Sequence, residues 1–486
     1  MALRPYSRAA EFWGPSPDTV LADDHLARVV DEFIESLAVQ RLNRHYEHTP
    51  GEAAYDVRLL CKVWILAYAR GITSARQLAR ECAENLAFRF LTGGQCPNHR
   101  TLSGFRRRYR RLLRWVFAKT VLTGRQMGLV RLGLVAIDSV KLQADARAAR
   151  KRTAEQLKEV LGKLDAYLTE LEAQDQRDDQ SYGATADAET LPKKLRRLKA
   201  RRAQRQAALD KLQADQQQQR AAGKTTIRED IIPTDPDAVW VKKQGRIIPG
   251  YNCHAAVDDT CGMVVAVKPT ACADEREQLN PMVKRVEQTA GAPAQTAVAD
   301  NGYYTDEALI EAEAGPTRCL VPDGPAAAAL NQGQPPAPTG AYHCDQFRYD
   351  PAADEFTCPQ ERKLVVQKKH TRRGQLTTVY RGVGCADCPV RADCTADKSG
   401  VRTIEVHRRY AVIRAAKERL KTDEGQALYR KRKSTAEPVF GQWQHNRGVR
   451  RLRLRGLSGC DIELHLLAIA HNMKKFWKKG VQFSPN

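Results

Sequence analysis

The sequence predicts a mixed α/β protein whose sheet is interrupted twice by other material, and three observations lead there. Short β-branched segments that end in turn chemistry occur at 132–146, 250–269, 296–300 and 318–321, with helical spacing between the later ones. Residues 1–130 and the stretch from 406 onward carry helical spacing alone. Two stretches of different composition, 150–225 and 323–405, separate the strand segments, so the strands can meet only if both loop out.

Bulk properties narrow the class. A chain of 486 residues has room for roughly two to four domains and a large core. No apolar run reaches the length of a membrane span; the most apolar helix candidate, 57–69, is broken by Arg58 and Lys62. The N-terminus lacks a continuous apolar leader core, which predicts a cytoplasmic, nucleoid-associated protein with no membrane partner. Lys and Arg outnumber Asp and Glu by 79 to 57, giving a net charge of +22 that attracts polyanions, nucleic acid first among them. The basic residues cluster, at 106–111, 193–205, 430–433, 447–455 and 474–479, rather than scatter as a solubility surface would.

Taken in order, Leu26, Val29, Val30, Phe33 and Leu37 fall at helical spacing, and a second helix from Val57 meets a glycine stop at Gly71. Ser74 with Gln77 suits a capping box for a third. Thr101 suits the cap of a fourth, in which Leu102, Phe105, Tyr109, Leu112 and Val116 form one stripe. Arg106, Arg107 and Arg110 crowd its other faces, compatible equally with a helix-turn-helix-like DNA reader and with a solvated basic face.

Residues 132–146 read as a strand or hairpin with Asp138 inside it. An unpaired carboxylate in so apolar a segment costs several kcal/mol, so Asp138 needs a cation or another polar partner. Leucines repeating every three or four residues from Leu157 to Leu212, broken at 174–190, predict an inserted antiparallel helical hairpin, either a spacer or a DNA-contacting arm. Segments 250–258 and 262–269 are close enough to pair. A helix at 275–290 follows, then the strand 296–299, which stops at Asp300 where Asn301-Gly302 supplies a turn. Asp235, Asp237, Asp258 and Asp259 read as turn residues, and Asp145 and Asp274 are further acids competing for a functional role.

The stretch 325–340, rich in Ala, Pro, Gly and Gln, reads as a loop. Cys385 and Cys388 have metal-knuckle spacing, and Cys394 with Cys358 would complete four thiolates for a tetrahedral structural zinc, the alternative being reduced, unliganded thiols. Helical spacing resumes at 407, and the last helix, from Ile462 to Met473, is strongly apolar.

Asp138, Asp300 and Glu437 stand in that order, with TDPDAVWVKKQGRIIPGYNCHAAVD at 234–258, VADNGYYT at 298–305, EPVFGQWQHNRGVRRLRLRGL at 437–457 and ELHLLAIAHNMKK after it. This combination resembles the DDE transposases of bacterial insertion sequences, and is close to the insertion-sequence 1182 group. The resemblance implies a ribonuclease H-like catalytic core in three parts, 131–149, 226–322 and 406–486. Around it would lie an all-helical DNA-binding domain at 1–130, an inserted helical hairpin at 150–225 and a cysteine-bearing insertion at 323–405. It implies Asp138 bridging two Mg²⁺ (or Mn²⁺) ions, with Asp300 and Glu437 each holding one. The implied partners are the element's terminal inverted repeats and target DNA, met by a homodimer. Tyr429, Arg432, Lys433, Arg447 and Arg450 would join Arg106, Arg107 and Arg110 on DNA. Arg432 lies one residue farther from Glu437 than the family signature has it, Gln444 stands where a Lys is expected so that Arg447 takes its role, and Pro438 places Glu437 at a helix start or kink. A catalytically silent DNA-binding relative and a ribonuclease H-like nuclease without strand transfer are the alternatives.

Overall fold

A computed structural model describes residues 16–37, 54–182, 190–223, 226–336, 341–372 and 375–483. The break foreseen at 174–190 and the end of the 325–340 loop lie partly outside these residues.

Among the described residues the chain opens with a single helical turn at Pro17–Val20 and then six longer helices: α1 (Leu26–Glu35), α2 (Val57–Ala69), α3 (Ala75–Glu84), α4 (Leu86–Thr92), α5 (His99–Arg108) and α6 (Arg110–Gln126). After α2 the chain turns at Gly71, whose φ is +79°. A β-carbon there would lie 2.4 Å from the Arg447 carbonyl oxygen, so only glycine lets the C-terminal segment approach this closely. Ser74 caps α3 as its position suggests, accepting from the Gln77 amide at 3.5 Å. The fourth helix differs from expectation. Asn98, not Thr101, caps it, its Oδ1 accepting from the amides of Arg100 and Thr101, and Tyr109 leaves helical geometry and splits it into α5 and α6.

The main sheet runs β1 (Leu134–Gln143), β2 (Val239–Lys243), β3 (Arg246–Asp258), β4 (Val264–Thr270), β5 (Thr296–Val298) and β6 (Arg318–Leu320) along the chain. Across the sheet the order is β4-β3-β1-β5-β6, with β2 pairing the start of β3. β1, β3 and β4 are antiparallel neighbours, whereas β5 and β6 run parallel to β1. The hairpin α7 (Ala154–Tyr182) and α8 (Thr190–Ala221) leaves after β1 and returns before β2. Its leucines pack among themselves, Leu157 and Leu161 with Leu209 and Leu212, and Leu168 and Leu171 with Leu195, apart from the main core. Helices α9 (Leu279–Ala290) and α10 (Asp306–Glu313) flank β5 in sequence.

Residues 324–407 build more than a loop and a metal knuckle. Asp323 caps a helix at Gly324–Asn331, correcting the expected loop: a run of four alanines has high helix propensity once its first turn is capped. Beyond it, five antiparallel strands close on a small core of Phe347, Phe356, Leu364, Tyr380, Ile404, Val406 and Tyr410. Spaced one or two per strand, these apolar residues leave little local pattern.

The chain ends in α11 (Tyr410–Lys421), α12 (Asp423–Gly441) and α13 (Gly456–Lys478). α12 runs straight through Pro438 and gives way to a π-helical turn at Gln442–Asn446, so Glu437 lies within a helix and not at its start. Packing against β1 sustains the helix despite the lost amide donor. α13 is buried along most of its length between α2, α6 and β4. Asn472 donates to the Val264 carbonyl and accepts from the Val264 amide, each at 2.9 Å, which satisfies the backbone of edge strand β4. Asp235 and Asp237, read as turn residues, reach across to accept from Gly456 and Leu457 and so cap α13.

Candidate active site

The register of two parallel strands brings the first two acids together. Ala136 of β1 pairs with Val298 of β5, and two residues further along each chain come Asp138 and Asp300. Pairing between β1 and β5 ends at that point, with Asp138 mid-strand on β1, still paired with Ala255 of β3, and Asp300 two residues past the end of β5. The sequence marks Asp300 as a strand-end residue because a turn follows. It accepts from the Gly302 amide at 3.0 Å and caps the single turn Asn301–Tyr303.

α12 covers the pair and supplies a countercharge. Arg432 Nη1 reaches Asp138 Oδ2 at 3.4 Å, while the Ser139 amide donates to Oδ1 at 2.7 Å. The guanidinium lies over the Tyr429 ring, 5.9 Å from its centroid, and its buried Nε has no partner. Burial pushes the Asp138 carboxyl up to about 6, against the pull of Ser139 and Arg432 and with the help of Asp300 and Glu275. Asp300 is raised too, by burial first and then by Glu275. Burial is thus the main reason the two acids resist ionising, since Arg432 pulls both of them down.

Glu275, a residue the sequence singled out only as the start of a helix, lies close enough to raise both acids. Its Oε1 accepts from Ser139 Oγ at 2.5 Å, from Lys141 Nζ and from Asn252 Nδ2 at 3.3 Å. Burial pushes its carboxyl up, but Lys141 and Ser139 outweigh burial and hold it below the usual range. Below the acids sits Tyr303, fully buried, hydrogen-bonded to His254 Nδ1 at 2.7 Å; Thr270 Oγ1 lies 3.2 Å from His254 Nε2. Burial lowers His254 to about 4, so its imidazole is neutral near pH 7.

The other residues singled out by the sequence divide between surface and interior. Glu437 is exposed on α12, one residue past the buried Ala436, and its side chain forms no hydrogen bond or ion pair among the described residues. Lys433, Arg450 and Arg107 are exposed, and Arg110 is half-buried, donating to Ser458 Oγ. Two expected DNA contacts are corrected. Arg106 is buried, stacked 3.9 Å from the Trp64 ring centroid and donating to Tyr68 Oη and the Thr73 carbonyl. It offsets the buried Glu463, which accepts from Tyr68 and from the Arg453 and Leu454 amides. Arg447 is buried as well and donates to the Leu467 carbonyl at 3.2 Å; with no acid beside it, burial depresses it to about 10. The competing acid Asp145 pairs with Arg451 and Arg455.

Among the cysteines, Cys358, Cys385 and Cys388 all lie close enough to Cys394 to raise its thiol further, after burial. No three of these sulfurs lie within 4.8 Å of one another among the described residues, whereas His343, Cys344 and Asp345 do bring donor atoms that close. Those three border a cavity of about 510 Å³ beside Tyr410 and Lys417.

Two family models match the chain. One described as "Transposase DDE domain" covers residues 357–477, including Tyr429, Arg432 and Glu437 but stopping short of the strands that carry Asp138 and Asp300. The other, "Transposase domain (DUF772)", covers residues 16–108. Over those two stretches, neither of which reaches half of the chain, it is similar to transposases of the DDE type. No curated protein and no solved structure matches it.

Proposed function

We propose that this chain is a DDE transposase, an enzyme that binds the terminal inverted repeats of its own insertion sequence, of the 1182 group, and catalyses metal-dependent cleavage and strand transfer. The observation that carries the proposal is the meeting of Asp138, mid-strand on β1, with Asp300, just past β5, under Arg432 of α12, because three stretches far apart in sequence converge on one polar site. The sheet order β4-β3-β1-β5-β6, three antiparallel strands followed by two parallel ones, supports the ribonuclease H-like core that the resemblance implies.

The donor set suits a hard divalent cation. Carboxylate oxygens dominate it, both His254 nitrogens lie within hydrogen-bonding distance of Tyr303 and Thr270, and burial raises both acids despite Arg432. Asp138 and Asp300 would hold Mg²⁺ or Mn²⁺, which when bound activates a water or a 3′-hydroxyl and stabilises the leaving oxygen of the phosphodiester. Arg432, which has an unpartnered Nε, holds Asp138 in place and presents positive charge to a phosphate entering the site. Lys433 and Arg450, exposed on the same segment, and Arg107 on α5 follow the DNA backbone. The exposed Glu437 serves as the third acid once DNA docks against α12. Cys358, Cys385, Cys388 and Cys394 would hold a structural zinc only with their sulfurs drawn closer than the structure places them, and the active form is a homodimer.

Cleavage of a DNA fragment carrying the element's ends tests this reading. Asp138→Asn and Asp300→Asn should each abolish Mg²⁺-dependent cleavage while end binding persists. Robust cleavage by either variant would remove that residue from the site.

A further inference from the structure

We infer that His343, Cys344 and Asp345 form a metal centre of their own, a tetrahedral site for Zn²⁺ or a cation of its class within the cysteine-bearing insertion. It is separate from the hard-cation centre proposed above, and neither depends on the other.

The three donor atoms stand where a tetrahedral ion would place them. Zinc bound at about 2.0–2.3 Å separates its ligand atoms by about 3.3–3.8 Å. His343 Nδ1 lies 3.3 Å from Asp345 Oδ2 and 3.8 Å from Cys344 Sγ, and Cys344 Sγ lies 3.9 Å from Asp345 Oδ1. Among the described residues, no other three His, Cys, Asp or Glu side chains bring their donor atoms within 4.8 Å of one another. Backbone and neighbours hold this convergence. Cys344–Gln346 is a single 3-10 turn, and His343 at its head accepts from the Asp345 amide through Nδ1 at 3.4 Å, so that nitrogen carries the lone pair a metal needs. Tyr410, the first residue of α11, donates from Oη to Asp345 Oδ1 at 3.2 Å, an outer hydrogen bond of the kind that orients a ligating carboxylate.

Donor chemistry selects the ion. One nitrogen, one sulfur and one oxygen suit Zn²⁺ or Co²⁺ and disfavour Mg²⁺, which takes oxygen donors. Three protein ligands leave a fourth position open. The cavity of about 510 Å³ that they border gives it room, and Asp306, Glu405 and His407 line the same space. Lys417 lines it too, but is paired with Asp323 at 2.8 Å, which offsets its charge. Asp306 is the first residue of α10, which packs on α11, so an ion here braces a turn of the insertion against two helices outside it.

Titration of the reduced, full-length protein with Co²⁺ in excess Mg²⁺ is the test, read from the near-ultraviolet band that a thiolate-bound cobalt ion produces. Cys344→Ser should bind one Co²⁺ fewer per chain than the wild type and lose one thiolate's share of the band. His343→Ala and Asp345→Asn should each weaken that ion at least about tenfold, and Cys385→Ser/Cys388→Ser should retain it. Equal stoichiometry and band intensity in the wild type and Cys344→Ser would overturn the inference. Loss of the ion in a folded Cys385→Ser/Cys388→Ser chain would overturn it as well, making Cys344 an accessory to the four other cysteines. If Cys344→Ser does not fold, alkylation of the wild type decides: Zn²⁺ should protect Cys344 from iodoacetamide, and an unchanged rate of modification sinks the site.

Discussion

Arg106 and Asp138 show how far a single residue's role departs from its residue type. Arg106 sits in a run of arginines, yet its neighbours Trp64, Tyr68 and Glu463 turn it into a buried countercharge. Arg106→Ala should therefore cost about 3–5 kcal/mol in chemical denaturation, since an uncompensated Glu463 remains inside. Arg107→Ala, on the exposed face, should leave stability within about 0.5 kcal/mol. His254 gives a pH signature. Its folded value of about 4 lies below its ordinary 6.5, so the unfolded chain binds an extra proton between those values. The associated stability is complete above pH 6.5 and is lost as pH falls through that window, by roughly 3 kcal/mol for the full shift. Denaturation midpoints measured from pH 7.5 down to 4 should fall less steeply in His254→Gln than in the wild type. Glu275 was hidden from sequence reading because no motif surrounds it; the hydrogen bonds that hold it come from Ser139, Lys141 and Asn252 on strands distant in the chain.

Elements decide which residues can meet. β5 has only three residues, and its parallel register with β1 is what sets Asp300 beside Asp138. α12 must then lie across that pair, and the turn into it is tight: a β-carbon on Gly425 would fall 1.9 Å from the Arg419 carbonyl oxygen. Gly425→Ala should force α11 and α12 apart, costing about 1–3 kcal/mol and reducing DNA cleavage more than end binding, because Arg432 shifts from Asp138. The insertion has an apolar core of its own, so its fold does not depend on a metal, and zinc there is a separate proposal. Metal analysis of reduced protein should find a zinc at the four cysteines, lost in Cys385→Ser/Cys388→Ser, with the main sheet intact by circular dichroism. Absence of zinc from the wild type would end that proposal.

For the molecule as a whole, charge and insertion are separable from the core. The helical hairpin packs its leucines on itself, so replacing 154–221 by a short linker should leave the remaining chain folded. If its Lys193–Arg205 stretch tracks phosphates, the deletion should lower end affinity and reduce the slope of log affinity against log salt. Unchanged salt dependence would make the hairpin a spacer. No helix among the described residues is long and apolar enough to cross a membrane.

The sequence by itself determined the order of the parts, the positions of the two strand acids, the helical hairpin and the clustering of basic residues, because each is written in local periodicity, turn chemistry or composition. Tertiary structure alone decided that Arg106 and Arg447 face inward, that α12 continues through Pro438, that the cysteine-bearing insertion has an aromatic core, and that Glu275 lies near Asp138 and Asp300. Each of these depends on contacts between residues far apart in the chain, and burial, which sets the cost of an unpaired charge, is fixed only when those contacts form.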